Sequence, residues 1–124
     1  MPVNPSFRAF ILDQLKRVAP RVRDRAMFGG VGVYAGELFF ALLDDDTLYL
    51  KVDDSNRPDF EARGMGPFRP SGEGGEVMQY YRVPDDLLED AEALRPWVEK
   101  AILVARLRKL KGSRRRGRPT RGKS

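Results

Sequence analysis

The chain of 124 residues is one domain's worth of sequence and contains neither cysteine nor histidine. Those absences exclude disulfides, thiolate or imidazole metal sites, and every Cys–His or Ser–His–Asp nucleophile. The net charge of +5 is unevenly placed, because residues 1–110 hold 16 Lys+Arg against 18 Asp+Glu whereas residues 111–124 hold seven basic residues and no acid.

In chain order, Asn4-Pro5 predicts a helix N-cap followed by proline at the first helical position. Phe7, Phe10, Ile11, Leu15 and Val18 recur on one helical face until Pro20. An extended segment is expected near residues 24–28. Gly30-Val31-Gly32-Val33-Tyr34-Ala35 then fits the letters of the dinucleotide pattern G-x-G-x-x-G/A. A dinucleotide loop must open a helix whose N-terminus holds the pyrophosphate. Here residues 31–34 alternate as a strand, Ala35-Gly36 turns, and residues 37–43 form a second strand, so the glycines bend the chain or admit another backbone. Nor does a Lys-Ser/Thr pair make the stretch a P-loop. Asp44-Asp45-Asp46 turns into a strand over residues 47–52. Asp54 or Ser55 is expected to cap a short helix ending near Arg63, with Gly64 at its left-handed C′ position. A glycine- and proline-rich loop precedes a fourth strand over residues 77–83. Pro84-Asp85 opens a helical turn, and a final helix reaches about Leu110 with Pro96 in its first turn.

This order predicts an α+β fold, a two-layer sandwich of one largely antiparallel sheet of four to five strands with helices packed on one face. The expected division is a folded body over residues 1–110 and a basic tail over residues 111–124. The tail has no apolar residue to bury and is expected to be disordered in isolation. No apolar run approaches the roughly 18 residues that span a bilayer, and the N-terminus lacks a signal-peptide pattern. The expectation is a soluble, cytoplasmic chain with no membrane partner.

Several separate motifs occur in one order: Met27-Phe28-Gly29-Gly30 with Gly32 and Tyr34, Phe40-Ala41, and Leu48-Tyr49-Leu50-Lys51. They continue with Phe68, Tyr81-Arg82-Val83-Pro84, Leu87-Leu88-Glu89-Asp90 and Trp97. Together they resemble the N-terminal domain of the TfoX/Sxy proteins, regulators of bacterial competence, over roughly residues 7–107. The resemblance implies an α+β domain and does not imply catalysis; no cofactor is expected. It implies a role in promoting transcription of DNA-uptake genes in concert with a cyclic-AMP-responsive transcription activator. Longer family members carry a second, helical domain where this chain has its basic tail.

Clusters of acidic residues are the other candidates for chemistry. Asp44, Asp45 and Asp46 with Asp53 and Asp54 offer the oxygens that Mg²⁺ or Ca²⁺ prefers, but lack EF-hand spacing, so they read as a hairpin turn and a helix cap and no metal site is expected. Glu73 and Glu76 read as solvated loop residues, and no catalytic residue is expected. A small enzyme using these carboxylates is the least favoured alternative.

Two apolar surfaces look surplus to the core. Phe39, Ala41 and Leu43 alternate with Leu38, Phe40 and Leu42, which puts Phe39, Leu43 and Tyr49 on the face opposite Leu48, Leu50 and Val52. On the last helix Leu103, Leu107 and Leu110 lie opposite a core stripe of Leu94, Trp97, Val98, Ala101, Ile102 and Ala105. Either a helix wedged between layers buries both stripes, or Phe39, Leu43, Tyr49, Leu103, Leu107 and Leu110 form a homodimer or partner surface.

The tail carries Arg116-Gly117-Arg118-Pro119, which resembles the core of an AT-hook. Gly117 lets backbone approach the floor of a narrow A·T-rich minor groove, Arg116 and Arg118 extend along it, and Pro119 favours an extended chain. Arg114, Arg115, Arg121 and Lys123 then sit on phosphates. The alternative is a dimeric protein–protein adaptor whose tail is a nonspecific charged segment or an RNA contact.

Overall fold

The computed structural model describes residues 3–27, 29–69 and 79–122. Its elements are α1 (Pro5–Val18), β1 (Val22–Met27), β2 (Gly30–Ala35), β3 (Leu38–Asp44), β4 (Thr47–Lys51), α2 (Arg57–Glu61), β5 (Tyr80–Arg82), α3 (Asp85–Leu88) and α4 (Ala91–Gly122). The five strands form one sheet in chain order, each neighbour antiparallel to the next. This is the expected α+β architecture. Short loops suffice for it because antiparallel neighbours need no crossover.

Local chemistry sets the joints. The Asn4 side chain accepts from the Ser6 and Phe7 N–H groups at 2.8 and 3.4 Å, capping α1, while the Asn4 N–H donates to Asp46 at 2.7 Å. Asp45 and Asp46 turn the β3–β4 hairpin with φ of 50° and 55°, the left-handed pair that matches strand twist. Gly29 turns β1 into β2 at φ 81°. At Gly30 a Cβ would lie 2.5 Å from the Leu43 carbonyl oxygen, so glycine there admits a neighbouring backbone, as the sequence leads one to expect.

α1 and α4 cover one sheet face. Ile11, Leu15 and Val18 of α1 and Leu94, Val98, Ala101 and Ala105 of α4 pack on Val31, Val33, Leu43, Leu48 and Leu50 in one core. Each fully buried valine, leucine or isoleucine there contributes about 1.5–3 kcal/mol relative to exposure. Phe60 of α2 closes one end, its ring edge-on to Trp97 at 4.9 Å. Gln14, the buried polar group of α1, donates to the Leu88 carbonyl at 3.0 Å, joining α1 to the segment before α4. Asp24 of β1 is paired with Arg8 of α1. Beyond β5, residues 66–68 run alongside it: the Phe68 N–H donates to the Tyr80 carbonyl at 2.7 Å and the Arg82 N–H to the Gly66 carbonyl at 3.0 Å.

One strand departs from strict alternation. Val33 pairs with Ala41 and Tyr34 with Phe39, so Phe40 is an extra residue in β3, a bulge. Phe40, Ala41 and Leu43 are all fully buried in the core. The expected face of Phe39, Leu43 and Tyr49 is therefore split. Leu43 belongs to the core, while Phe39 and Tyr49 stay on the open face with Leu42, which pairs with Tyr49. The bulge resets the two-residue period of the strand, which simple alternation carries through unbroken.

Three helix boundaries also differ from expectation. Asn56, not Asp54 or Ser55, occupies the position before α2, and its side chain is buried between the Asp53 N–H and the Lys51 carbonyl. Asp90 caps α4, accepting from the Ala93 N–H at 3.1 Å, so that helix starts at Ala91 and Pro96 falls in its second turn. At its other end α4 continues past Leu110 to Gly122. Arginine and lysine are good helix formers, and an established helix adds residues without a new nucleation step. Among the described residues no helix is long and apolar enough to cross a membrane.

Candidate functional site

The sheet face away from the helices carries a row of cations and aromatic rings at one end. Arg23, Tyr34 and Phe39 are cross-strand neighbours on β1, β2 and β3, and Lys51 and Tyr80 are paired on β4 and β5. The Arg23 guanidinium lies 4.9 Å from the centre of the Tyr34 ring, which stacks on Phe39 at 5.0 Å. Phe39 meets Tyr80 at 5.5 Å. Lys51 completes the row, its Nζ donating to the Tyr80 hydroxyl at 2.8 Å and lying 4.6 Å from the Tyr80 ring. A second row holds Leu42, Tyr49 and Arg82, with Phe68 against Tyr49 at 4.9 Å.

The electrostatics of the first row are perturbed. Burial, and secondarily the charge of Arg108, pulls the Lys51 ammonium down to about 8 from an ordinary 10.5. Burial pushes the Tyr80 phenol upward, and it raises Tyr49 as well, with Asp44 adding to the latter. Lys51, Phe39, Arg108 and Lys109 line a cleft of about 240 Å³ between the end of the sheet and α4. At its rim Glu37 accepts from Lys109 at 3.0 Å, and that contact holds the Glu37 carboxyl below its ordinary range.

The helix stripe of Leu103, Leu107 and Leu110 is exposed by 47%, 47% and 52%, so α4 is not wedged between layers that bury both of its sides. Phe10 of α1, 43% exposed, is another large apolar side chain left open. Arg114, Arg115, Arg116, Gly117, Arg118, Pro119 and Arg121 lie on the last turns of α4, and Lys123 lies outside the described residues. Glu73 and Glu76 lie outside them too.

The acidic groups are occupied locally. Asp53 accepts from the Ser55 N–H at 2.8 Å and Asp54 from Arg57 at 2.6 Å. Among the described residues no group of three or more carboxylates could hold one metal ion. Sequence reasoning found Phe39 and Tyr49 but missed Arg23, Tyr34, Lys51, Tyr80 and Arg108. The signal was available in part: Tyr34, Tyr49 and Tyr80 each occupy the position that alternates with a core residue.

The molecule is thus a small α+β domain, a five-stranded meander with two helices on one face and a cation–aromatic row on the other. The chain belongs to the TfoX N-terminal domain family, whose profile matches residues 13–105. That family is competence-related and non-enzymatic. No curated protein matches the chain significantly.

Proposed function

We propose that the chain is a noncatalytic regulator of DNA-uptake genes, its basic C-terminal segment contacting DNA while the folded body engages a cyclic-AMP-responsive transcription activator. The observation that carries this reading is the joining of a TfoX-type body to a segment with seven basic residues and no acid. Arg114, Arg115, Arg121 and Lys123 supply phosphate contacts, and Arg116-Gly117-Arg118-Pro119 enters an A·T-rich minor groove. A minor-groove hook needs an extended chain. The helix holds this stretch weakly, because proline in a helix interior costs about 3 kcal/mol and glycine about 1 kcal/mol relative to alanine. Pro119, Gly117 and Gly112 all fall there, so extension onto DNA gives up little.

Fluorescence anisotropy with A·T-rich and G·C-rich duplexes tests this, comparing the full chain with a 1–110 truncation across a salt series. The buried core ends at Ala105, so the truncation spares it. Four to six phosphate contacts predict that log K falls against log salt with a slope of about −4 to −5. Binding that disappears on truncation and is stronger on A·T sites is the expected result. Equal binding by the two proteins sinks the tail reading.

A second reading, a homodimer or partner surface, is favoured by the exposure of Leu103, Leu107 and Leu110 on one side of α4. Monomers rarely leave a continuous apolar patch bare. Light scattering at tens of micromolar protein should give a dimer mass that Leu107→Glu halves. A monomer mass for the unaltered chain rules the homodimer out.

A further inference from the structure

At the root of the basic segment, two cations face one cleft, and neither is paired with a carboxylate of the described residues. Lys51 is held by the Tyr80 hydroxyl at 2.8 Å and by the rings of Tyr80 and Phe39, with its Nζ 4.6 and 5.7 Å from their centres. Arg108 of α4 lines the same cleft. Among the described residues no carboxylate pairs with either. Glu37 is taken by Lys109 at 3.0 Å, Asp54 by Arg57 at 2.6 Å, and Asp53 by the Ser55 N–H at 2.8 Å. Burial and like-charge repulsion both penalise the Lys51 ammonium, and an anion seated between the two cations relieves the repulsion and compensates the lost hydration. Stacking is not what the cleft has left to offer, because Tyr34 is engaged by Arg23 and Phe39, and Phe39 by Tyr34 and Tyr80. Its unmatched property is positive charge.

We propose that this cleft seats one backbone phosphate of bound DNA, with Lys51 and Arg108 donating to its oxygens. The inference rests on the DNA-contact reading above and adds a site on the folded body to it. α4 runs from Arg108 and Lys109 into Lys111 and the arginines beyond, so a strand tracking that segment passes the cleft. At about 240 Å³ the cleft is smaller than the roughly 300–1,000 Å³ of sites that enclose small molecules, which favours one phosphate of a polymer over a whole free nucleotide.

The test uses the full chain and an A·T-rich duplex in a salt series. Lys51→Met keeps the aliphatic stem between the rings, and Arg108→Gln lies on an exposed helix face. Each should reduce the salt slope by about 1, the effect of one lost phosphate contact. Lys51→Arg should restore it. Lys100→Gln, on the same helix but outside the cleft lining and paired with Asp59 at 3.3 Å, should leave the slope unchanged. An equal fall with Lys100→Gln overturns the proposal, since it would report net charge rather than a site. Unaltered slopes for both Lys51→Met and Arg108→Gln, in proteins that unfold no lower than the wild type, overturn the cleft and leave the tail reading standing. A variant with Arg114, Arg115, Arg116 and Arg118 all replaced by alanine tests that reading separately. Titration with adenosine monophosphate supplies the remaining arm. Lys51-dependent binding of that probe with unaltered duplex slopes would assign the cleft to a free phosphate ester and overturn the proposal.

Discussion

Raising the pH from about 8 to about 10 is expected to stabilise this protein, and Lys51 is the reason. Burial against Phe39 and Tyr80, with repulsion from Arg108, takes its pKa from 10.5 to about 8 on folding. Between those values the unfolded chain holds a proton that the folded chain has released, so stability rises with pH. Below about 8 the ammonium is charged in both states and the full penalty is present; above 10.5 it is neutral in both and the penalty is gone. At face value the drop from 10.5 to about 8 corresponds to roughly 3 kcal/mol. Lys51 is only half-buried and two rings attract its charge, so screening and cation–π contact reduce the expected gain to about 1–2 kcal/mol. Tyr80 acts in the opposite sense. Burial raises its pKa, so above about pH 10 the unfolded phenol ionises first and stability declines. Urea unfolding of the wild type and Lys51→Met between pH 7 and 10.5 reads both effects. The methionine variant should be the more stable at pH 7, with the two curves converging near pH 10. Parallel curves across that range would refute the assignment of the penalty to Lys51.

Two further outcomes test the placement of β2 and β3. Leu43→Ala should lower stability by about 2–5 kcal/mol in denaturant unfolding, whereas Leu107→Ala on the open helix side should change it by no more than about 0.5 kcal/mol; similar costs would contradict the bulge and the core position of Leu43. Gly30→Ala should cost about 1–3 kcal/mol in thermal unfolding, because its methyl group would lie 2.5 Å from the Leu43 carbonyl oxygen and the strands must part to admit it. An unaltered midpoint would show that β2 and β3 are not so closely apposed.

Most of the architecture was legible because its punctuation is local. Asn4-Pro5 announces α1, and Gly36 and the Asp45-Asp46 pair announce the β2–β3 and β3–β4 hairpins, each through a backbone preference that the sequence states directly. The bulge at Phe40 leaves no such mark. Residues 38–43 are apolar at every position, so alternation gives no register, and only the cross-strand partners of Tyr34 and Val33 reveal the extra residue. The same gap hid half of the candidate site. Phe39 and Tyr49 are recognisable as aromatics in strands, but Arg23, Lys51 and Tyr80 fall into one row only through the successive pairing of the strands from β1 to β5, which is not written in any one segment. Arg108 lines the same cleft as Lys51 through the packing of α4 on the sheet, a juxtaposition of residues far apart in the chain. Pro96 reads from sequence as a first-turn marker, whereas the Asp90 cap begins α4 earlier, at Ala91.

The two margins of the sheet constrain how copies of this protein can go wrong. β1 presents Arg23, Asp24 and Arg25 along its free side, and its Asp24 is tied to α1. The β5 side is already occupied by residues 66–68, whose central residue, Pro67, has no amide hydrogen to offer an incoming chain. Fibril growth begins where one molecule's unpaired backbone templates another's, and here one margin is guarded by charge and the other is filled. Among the described residues, the surfaces this leaves for any self-association are side-chain surfaces such as the leucine stripe of α4, where a single polar substitution would tune it without opening a route to endless polymer.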